Sequence, residues 1–312
     1  GFKREGQSLS RAALQIDWPR CRLPFIDDSE VEQVMQVLEP SYAKLMSLYR
    51  RYSAIDVSGE SDFGVGSVQA AELMMGAGIV DGTVTKTADV DRFYIAAKVT
   101  PAELKKQLAV VNDKTIVRYE FLELLLRTCY QRFYQSGAAA SMAEAVVMLC
   151  DALEAEGRKT QEETAAFFES LYSEVVDDVY KKHADALAAI YKLYSGSRTP
   201  PGKAKYMCLL EFQKLLEASD AYDSNFQPRL TAVAFRMGMQ VQVDESGSSR
   251  FQEMNQLEFL HAIGAPAFLS LQAASSPITS EALAAKLDEQ FTEGLPKAAL
   301  AFKEAKGKAK RR

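Results

Sequence analysis

His183 and His261 are the only imidazoles in the chain, so they bound the acid–base chemistry it could perform near neutral pH. His183 follows Lys181 and Lys182, and His261 follows Phe259 and Leu260. A Cys/His or Ser/His/Asp arrangement would need long-range geometry that nothing local supports. Cys21, Cys129, Cys150 and Cys208 show no CxxC spacing and no paired metal spacing, so they read as buried, reduced thiols. Gly64, Val65 and Gly66 lack the lysine and hydroxyl of a phosphate loop and the rest of a dinucleotide fingerprint. Gly76 and Gly78 follow a helical pattern and read as a helix end. The acidic run Asp27, Asp28, Ser29 and Glu30 suits a helix N-terminus. Asp177 and Asp178 read as a solvated helix face. A non-catalytic protein is expected, with neither small-molecule substrate nor cofactor.

The chain of 312 residues is 47% hydrophobic and 25% charged, which suits two globular domains. Its formal net charge of -5 gives no nucleic-acid-like basic excess. The most apolar stretch, Gln256 to Ala274, is interrupted by Glu258, His261 and Pro266, so no membrane span is expected. The opening residues do not read as a signal segment. Charge is uneven at the C-terminus, where Lys297, Lys303, Lys306, Lys308, Lys310, Arg311 and Arg312 face only Glu304. Such an end is attracted to acidic surfaces, with tubulin tails, RNA and anionic membrane as candidates, or simply aids solubility. It has no interleaved aromatics beyond Phe302, so base stacking and specific nucleic-acid binding are not expected.

These residues sit on elements that read as helices. Hydroxyl and acid residues three apart mark helix starts at Ser29/Glu32, Thr100/Glu103, Ser141/Glu144 and Thr160/Glu163. Phe168, Leu171, Val175, Val179, Leu187, Ile190 and Tyr194 recur at three- and four-residue steps, predicting one long helix from Thr160 to Tyr194. Strand signals are confined to Ile116, Val117 and the stretch from Val241 to Val243.

An internal repeat organises the chain. The segment from Leu48 to Ala54 echoes that from Ile190 to Gly196 at an offset of 142, and Phe93 maps onto Phe235 at the same offset. A glutamate followed by an apolar residue recurs at Glu72, Glu120, Glu211 and Glu258. The first two are 48 residues apart and the last two 47. One supersecondary pattern is therefore expected four times, in two pairs.

This pattern resembles the EF-hand, a helix, a 12-residue loop and a helix, with a bidentate Glu at loop position 12 and Gly at position 6. With Glu72, Glu120, Glu211 and Glu258 as loop-end glutamates, the apolar position 8 falls on Val68, Ile116, Met207 and Met254, and Gly66 takes position 6 of the first loop. Positions 1, 3 and 5 depart from the family. They hold Ser61, Phe63 and Val65 in the first loop and Ala109, Val111 and Asp113 in the second. They hold Pro200, Gly202 and Ala204 in the third and Gly247, Ser249 and Phe251 in the fourth. Calcium takes six to eight oxygens, so the resemblance implies EF-hand-like modules without calcium. Asp244, Glu245 and Glu258 are the candidates for one weak surviving site.

The fold class expected is all-α, with two EF-hand-like four-helix modules joined by a long helix, then a C-terminal helix and basic tail. The domain reading places an N-terminal segment at 1–40 and the first pair with a trailing helix at 41–158. The long helix and second pair follow at 159–275, and the C-terminal helix and tail at 276–312. Met74, Met75, Met207, Met237, Met239 and Met254 could line grooves. The helices from Ser141 to Ala155 and Ser280 to Phe291 are the chain's own candidates to fill them. Tyr49, Tyr52, Tyr191 and Tyr194 fall at helical spacing and read as core. Tandem pairs of this kind are similar to modules of axonemal proteins. The resemblance implies a cytoskeletal adaptor of a cilium or flagellum with protein partners, tubulin among the candidates. Lys303, Lys306, Lys308, Lys310, Arg311 and Arg312 would add electrostatic grip. The alternative is a regulatory calcium-binding protein.

Overall fold

The computed structural model describes residues 7–55, 57, 63–274 and 277–309. The described residues are helical and contain no strand, only two isolated β-bridges. Two compact units are present. Among described residues, the first holds 7–55, 63–162 and Val241–Arg250, and the second holds 57, Glu163–Gln240 and the residues from Phe251 onward.

In the first unit, α1 (Gln7–Asp17) and α2 (Val31–Tyr52) precede α3 (Ser67–Gly76), α4 (Thr87–Ala97), the short α5 (Ala102–Lys105) and α6 (Arg118–Cys129). A π turn, Tyr130–Gln135, ends α6 and leads to α7 (Met142–Leu171). Helix α6 is buried on nearly every face, as a central helix must be. Leu38, Tyr42, Leu45 and Tyr49 of α2 join Leu122, Leu125 and Leu126 of α6 in the core. Met142, Val146 and Leu149, from the start of α7, complete it. Helix α1 packs on α2 and α6, so the N-terminal segment belongs to this core.

The second unit contains α8 (Glu174–Lys182), α9 (Ala184–Tyr194), α10 (Leu209–Ala218), α11 (Thr231–Gly238), α12 (Gln256–Ala262), α13 (Ala265–Ala274) and α14 (Ser280–Ala309). Helix α14 packs against α8, α9, α10 and α13, burying Leu283, Leu287, Phe291 and Leu295. Gly238 and Gly264 permit close approaches. A Cβ on Gly238 would lie 2.5 Å from the Ala262 backbone nitrogen, and one on Gly264 would lie 2.6 Å from the Tyr180 hydroxyl.

The helix expected from Thr160 to Tyr194 is three helices. Thr160 lies inside α7, its hydroxyl donating back to the Glu156 carbonyl 2.9 Å away, and caps nothing. The break after α7 falls at Ser173, whose extended backbone (ψ 152°) starts α8 and whose hydroxyl donates to the Ser170 carbonyl. The second break is His183, held by the Asp288 carboxylate on α14. Apolar periodicity runs through both breaks because the flanking helices bury corresponding faces, so spacing alone does not reveal them. Of the other expected caps, Ser141 accepts from the Glu144 amide at 3.2 Å. Ser29 instead donates to Asp27, and Thr100 to Glu120.

Candidate functional site

Each unit contains one isolated β-bridge among its described residues. In the first unit Val65 and Ile116 exchange backbone hydrogen bonds of 2.9 Å each way. In the second, Met207 and Met254 do so at 2.9 and 3.0 Å. Each bridging residue immediately precedes the cap of the helix that leaves its loop: Gly66, Val117, Cys208 and Asn255. Ile116, Met207 and Met254 are the apolar residues expected at position 8 of their frames. The first frame needs correction. Val65 makes the bridge, while Val68 is 61% exposed. The position three past the cap is therefore Gln69, and Glu72 lies on the exposed side of α3.

The other three loop-end glutamates are buried and act alike. One oxygen of each accepts from the cap residue's own amide. Val117 N–H reaches Glu120 at 2.9 Å, Cys208 N–H reaches Glu211 at 2.8 Å, and Asn255 N–H reaches Glu258 at 2.9 Å. The second oxygen reaches back to the start of the loop. Glu211 accepts from Ser197 N–H at 2.7 Å, Glu258 from Gln240 N–H at 3.1 Å, and Glu120 from the Thr100 hydroxyl at 3.1 Å. Each carboxylate thus straps the two ends of its loop together, with both oxygens engaged by protein donors. Charge-assisted bonds of this kind are the strong ones. Burial pushes the Glu120 carboxyl up, and the Val117 amide, Thr100 and Lys98 pull against it.

Tyrosines brace both bridges. Tyr94 on α4 donates to the Val65 carbonyl at 2.9 Å and lies 3.2 Å from that of Lys114. Tyr191 on α9 reaches the carbonyls of Met254 and Lys205, each at 3.1 Å. Each hydroxyl therefore meets the bridge residue of the other loop and the residue two before the bridge in its own. The ring pairs repeat as well: Tyr49 lies 5.8 Å from Phe121, and Tyr191 lies 5.4 Å from Phe259. Asp81 and Asp223, 142 residues apart, form like turns. Each accepts from backbone amides two and three residues on, and Asp81 also from that of Thr85. Their carboxyls are held below the usual range. Hydrogen bonds to Thr85 and Thr83 do this for Asp81. For Asp223, burial is outweighed by hydrogen bonds from Ser270, Lys286 and the turn amides.

The candidate metal ligands are committed elsewhere. Asp244 accepts two bonds from the Arg20 guanidinium, at 2.6 and 2.8 Å, which hold its carboxyl below the usual range. Glu245 is buried 3.7 Å from Arg118. Glu258 is the strap described above. Among the described residues no cluster of three or more His, Cys, Asp or Glu side chains could hold a metal ion. Arg118, 2% exposed, anchors the 241–250 segment through the carbonyls of Gln242 and Val243. It also pairs with Asp17, which accepts from Tyr42 as well. Burial opposes the Arg118 charge, but Asp17, Tyr42 and Glu245 outweigh it and raise its pKa.

Both histidines contact protein side chains. The His261 ring lies 3.2 Å from the Tyr172 hydroxyl, and burial pushes its pKa down to about 4. His183 meets Asp288 at 2.7 Å. Burial raises all four thiols above their ordinary pKa, which suppresses the thiolate. Met74, Met207, Met239 and Met254 are buried, while Met75 is exposed. The basic end continues α14 as far as Ala309. Lys303 and Lys306 are exposed on it, and Lys306 lies 4.9 Å over the Phe302 ring. Lys308 lies within α14, and Lys310, Arg311 and Arg312 lie outside the described residues. No helix among the described residues is long and apolar enough to cross a membrane.

Sequence reading missed Gln69, Tyr94 and Lys98, the last of which donates to two loop carbonyls. For Gln69 a signal existed: Val65 and Gln69 have the same four-residue spacing as Met207 and Glu211, at the 142 offset that also relates Tyr49 to Tyr191 and Phe93 to Phe235. Comparison with protein-family models, with curated proteins and with solved structures gives no match.

Proposed function

We propose that this chain is a non-catalytic adaptor of a cytoskeletal assembly, an axonemal, microtubule-associated component of a cilium or flagellum. Its EF-hand-like modules would dock protein partners without calcium. The observation that carries the calcium-free reading is the strap. Glu120, Glu211 and Glu258 each place both oxygens on protein donors, so the loops are closed without a cation. Asp244 and Glu245, taken up by Arg20 and Arg118, weigh against the calcium-regulated alternative. The cytoskeletal assignment rests on the resemblance of the repeat and on the basic end of α14.

Co-sedimentation with microtubules across a salt series tests it. The proteins are the full chain and a variant with Lys303, Lys306, Lys308, Lys310, Arg311 and Arg312 changed to Gln. Truncation before Lys297 is unsuitable, because Ala298 is buried and its carbonyl accepts from Tyr194 at 2.9 Å. Saturable binding by both proteins supports docking through the modules. Binding lost with the basic residues, or at modest salt, reduces the interaction to nonspecific charge. No binding by either overturns the microtubule assignment.

A further inference from the structure

Lys98 stands immediately after α4, at the start of the segment that passes through the short α5 to the loop before Ile116 and α6. Its ammonium turns into that loop, donating to the Asn112 carbonyl at 2.7 Å and the Thr115 carbonyl at 3.0 Å. The Asn112 side chain holds the turn in shape by accepting from the amides of Lys114 and Thr115, at 2.9 and 3.1 Å. Burial pulls the Lys98 pKa below its ordinary value, and the negative charges of Glu120 and Asp113 act against that pull in favour of the ammonium. A positive charge therefore sits among oxygens of one loop, at the end that the Glu120 strap closes.

Carbonyl and carboxylate oxygens are the donor set of a hard cation. A calcium ion needs six to eight of them, whereas an ammonium has three donors to satisfy. A loop with too few oxygens to hold calcium tightly is rich enough for an ammonium. Tethering also fixes the local cation concentration independently of the solution.

We propose that the loop between α4 and α6 is a cation site whose resident cation is the Lys98 ammonium. Removing that charge leaves a loop that takes up a free divalent cation, calcium, weakly. This rests on the calcium-free reading of the modules and not on the cytoskeletal assignment.

The test measures melting of the full chain by circular dichroism, in chelator and in millimolar calcium, for the wild type, Lys98→Met and Lys98→Gln. The glutamine keeps N–H donors for the loop carbonyls and covers the case in which the methionine variant does not fold. Wild type is expected to melt at one temperature in both conditions. Each variant is expected to melt roughly 5 °C lower in chelator and to regain part of that loss in calcium. The dissociation constant is expected on the order of 10⁻³ M. Adding Glu120→Gln to Lys98→Gln is expected to abolish the regain. Variants that melt with the wild type, or that melt lower without any calcium response, overturn the proposal, as does a regain that survives Glu120→Gln. A wild-type chain stabilised by calcium overturns the calcium-free reading as well.

Discussion

Replacing Glu258 with glutamine isolates the strap. The side chain is fully buried, and its two oxygens accept from Asn255 N–H at 2.9 Å and Gln240 N–H at 3.1 Å. Glutamine keeps the shape but turns one acceptor into an amide donor facing a backbone N–H. One charge-assisted bond is lost, worth about 1.5–3 kcal/mol, and a buried donor pair is left unsatisfied. The expected loss is about 2–4 kcal/mol, or roughly 5–12 °C in melting temperature for a unit of this size. Glu72→Gln is the control, because Glu72 is exposed on α3, and its effect is expected within about 0.5 kcal/mol. Circular dichroism gives the global loss. Hydrogen exchange read by mass spectrometry over the segment containing Gln240 gives the local one, with protection reduced roughly 30-fold for each 2 kcal/mol. Calcium is expected to change neither protein. If Glu258→Gln melts with the wild type and exchange at Gln240 is unchanged, the strap contributes nothing and the reasoning fails.

Four further outcomes follow from the same geometry. Tyr94→Phe and Tyr191→Phe remove equivalent hydroxyls from the two bridges. Each is expected to cost about 1–2 kcal/mol in urea unfolding, and a large inequality between them would break the equivalence. Arg118→Met leaves the buried Asp17 carboxylate without its cation. Fluorescence of Trp18, the sole tryptophan, is expected to report a loss of about 3–5 kcal/mol, partly recovered on adding Asp17→Asn. His261 has a folded-state pKa of about 4, below the ordinary 6.5, so the unfolded chain takes up the proton first as pH falls. Its contribution is complete above about pH 6.5 and is lost towards pH 4, reaching up to about 3 kcal/mol. In His261→Gln that part of the pH dependence of melting should vanish. Gly238→Ala places a methyl against the Ala262 backbone, where the ideal Cβ would be 2.5 Å from the nitrogen. The expected loss is about 1–3 kcal/mol, seen as a lower urea midpoint.

The repeat made much of the core legible. Tyr49 and Tyr191, found as echoes in the chain, pack on Phe121 and Phe259, the residues that follow two of the repeated glutamates. Helical spacing gave the all-helical class, and the glutamates at Glu120, Glu211 and Glu258 occupy one position in three helices. The first frame slipped by three residues because Val68 and Glu72 imitate the spacing of Val65 and Gln69.

Sequence by itself determined the helical periodicity, the internal repeat and the sparseness of acidic residues at the repeated loops. All three are local or additive properties of residue type and spacing. Tertiary structure alone decided which donors would fill the oxygens those loops retain. Gln240, Ser197 and Thr100 lie 14 to 20 residues from their glutamates, and Lys98 lies 14 and 17 from its carbonyls. Arg118 meets Val243 across 125 residues. Such pairings depend on how the loops close, and burial then makes each unpaired polar group costly enough to fix its partner.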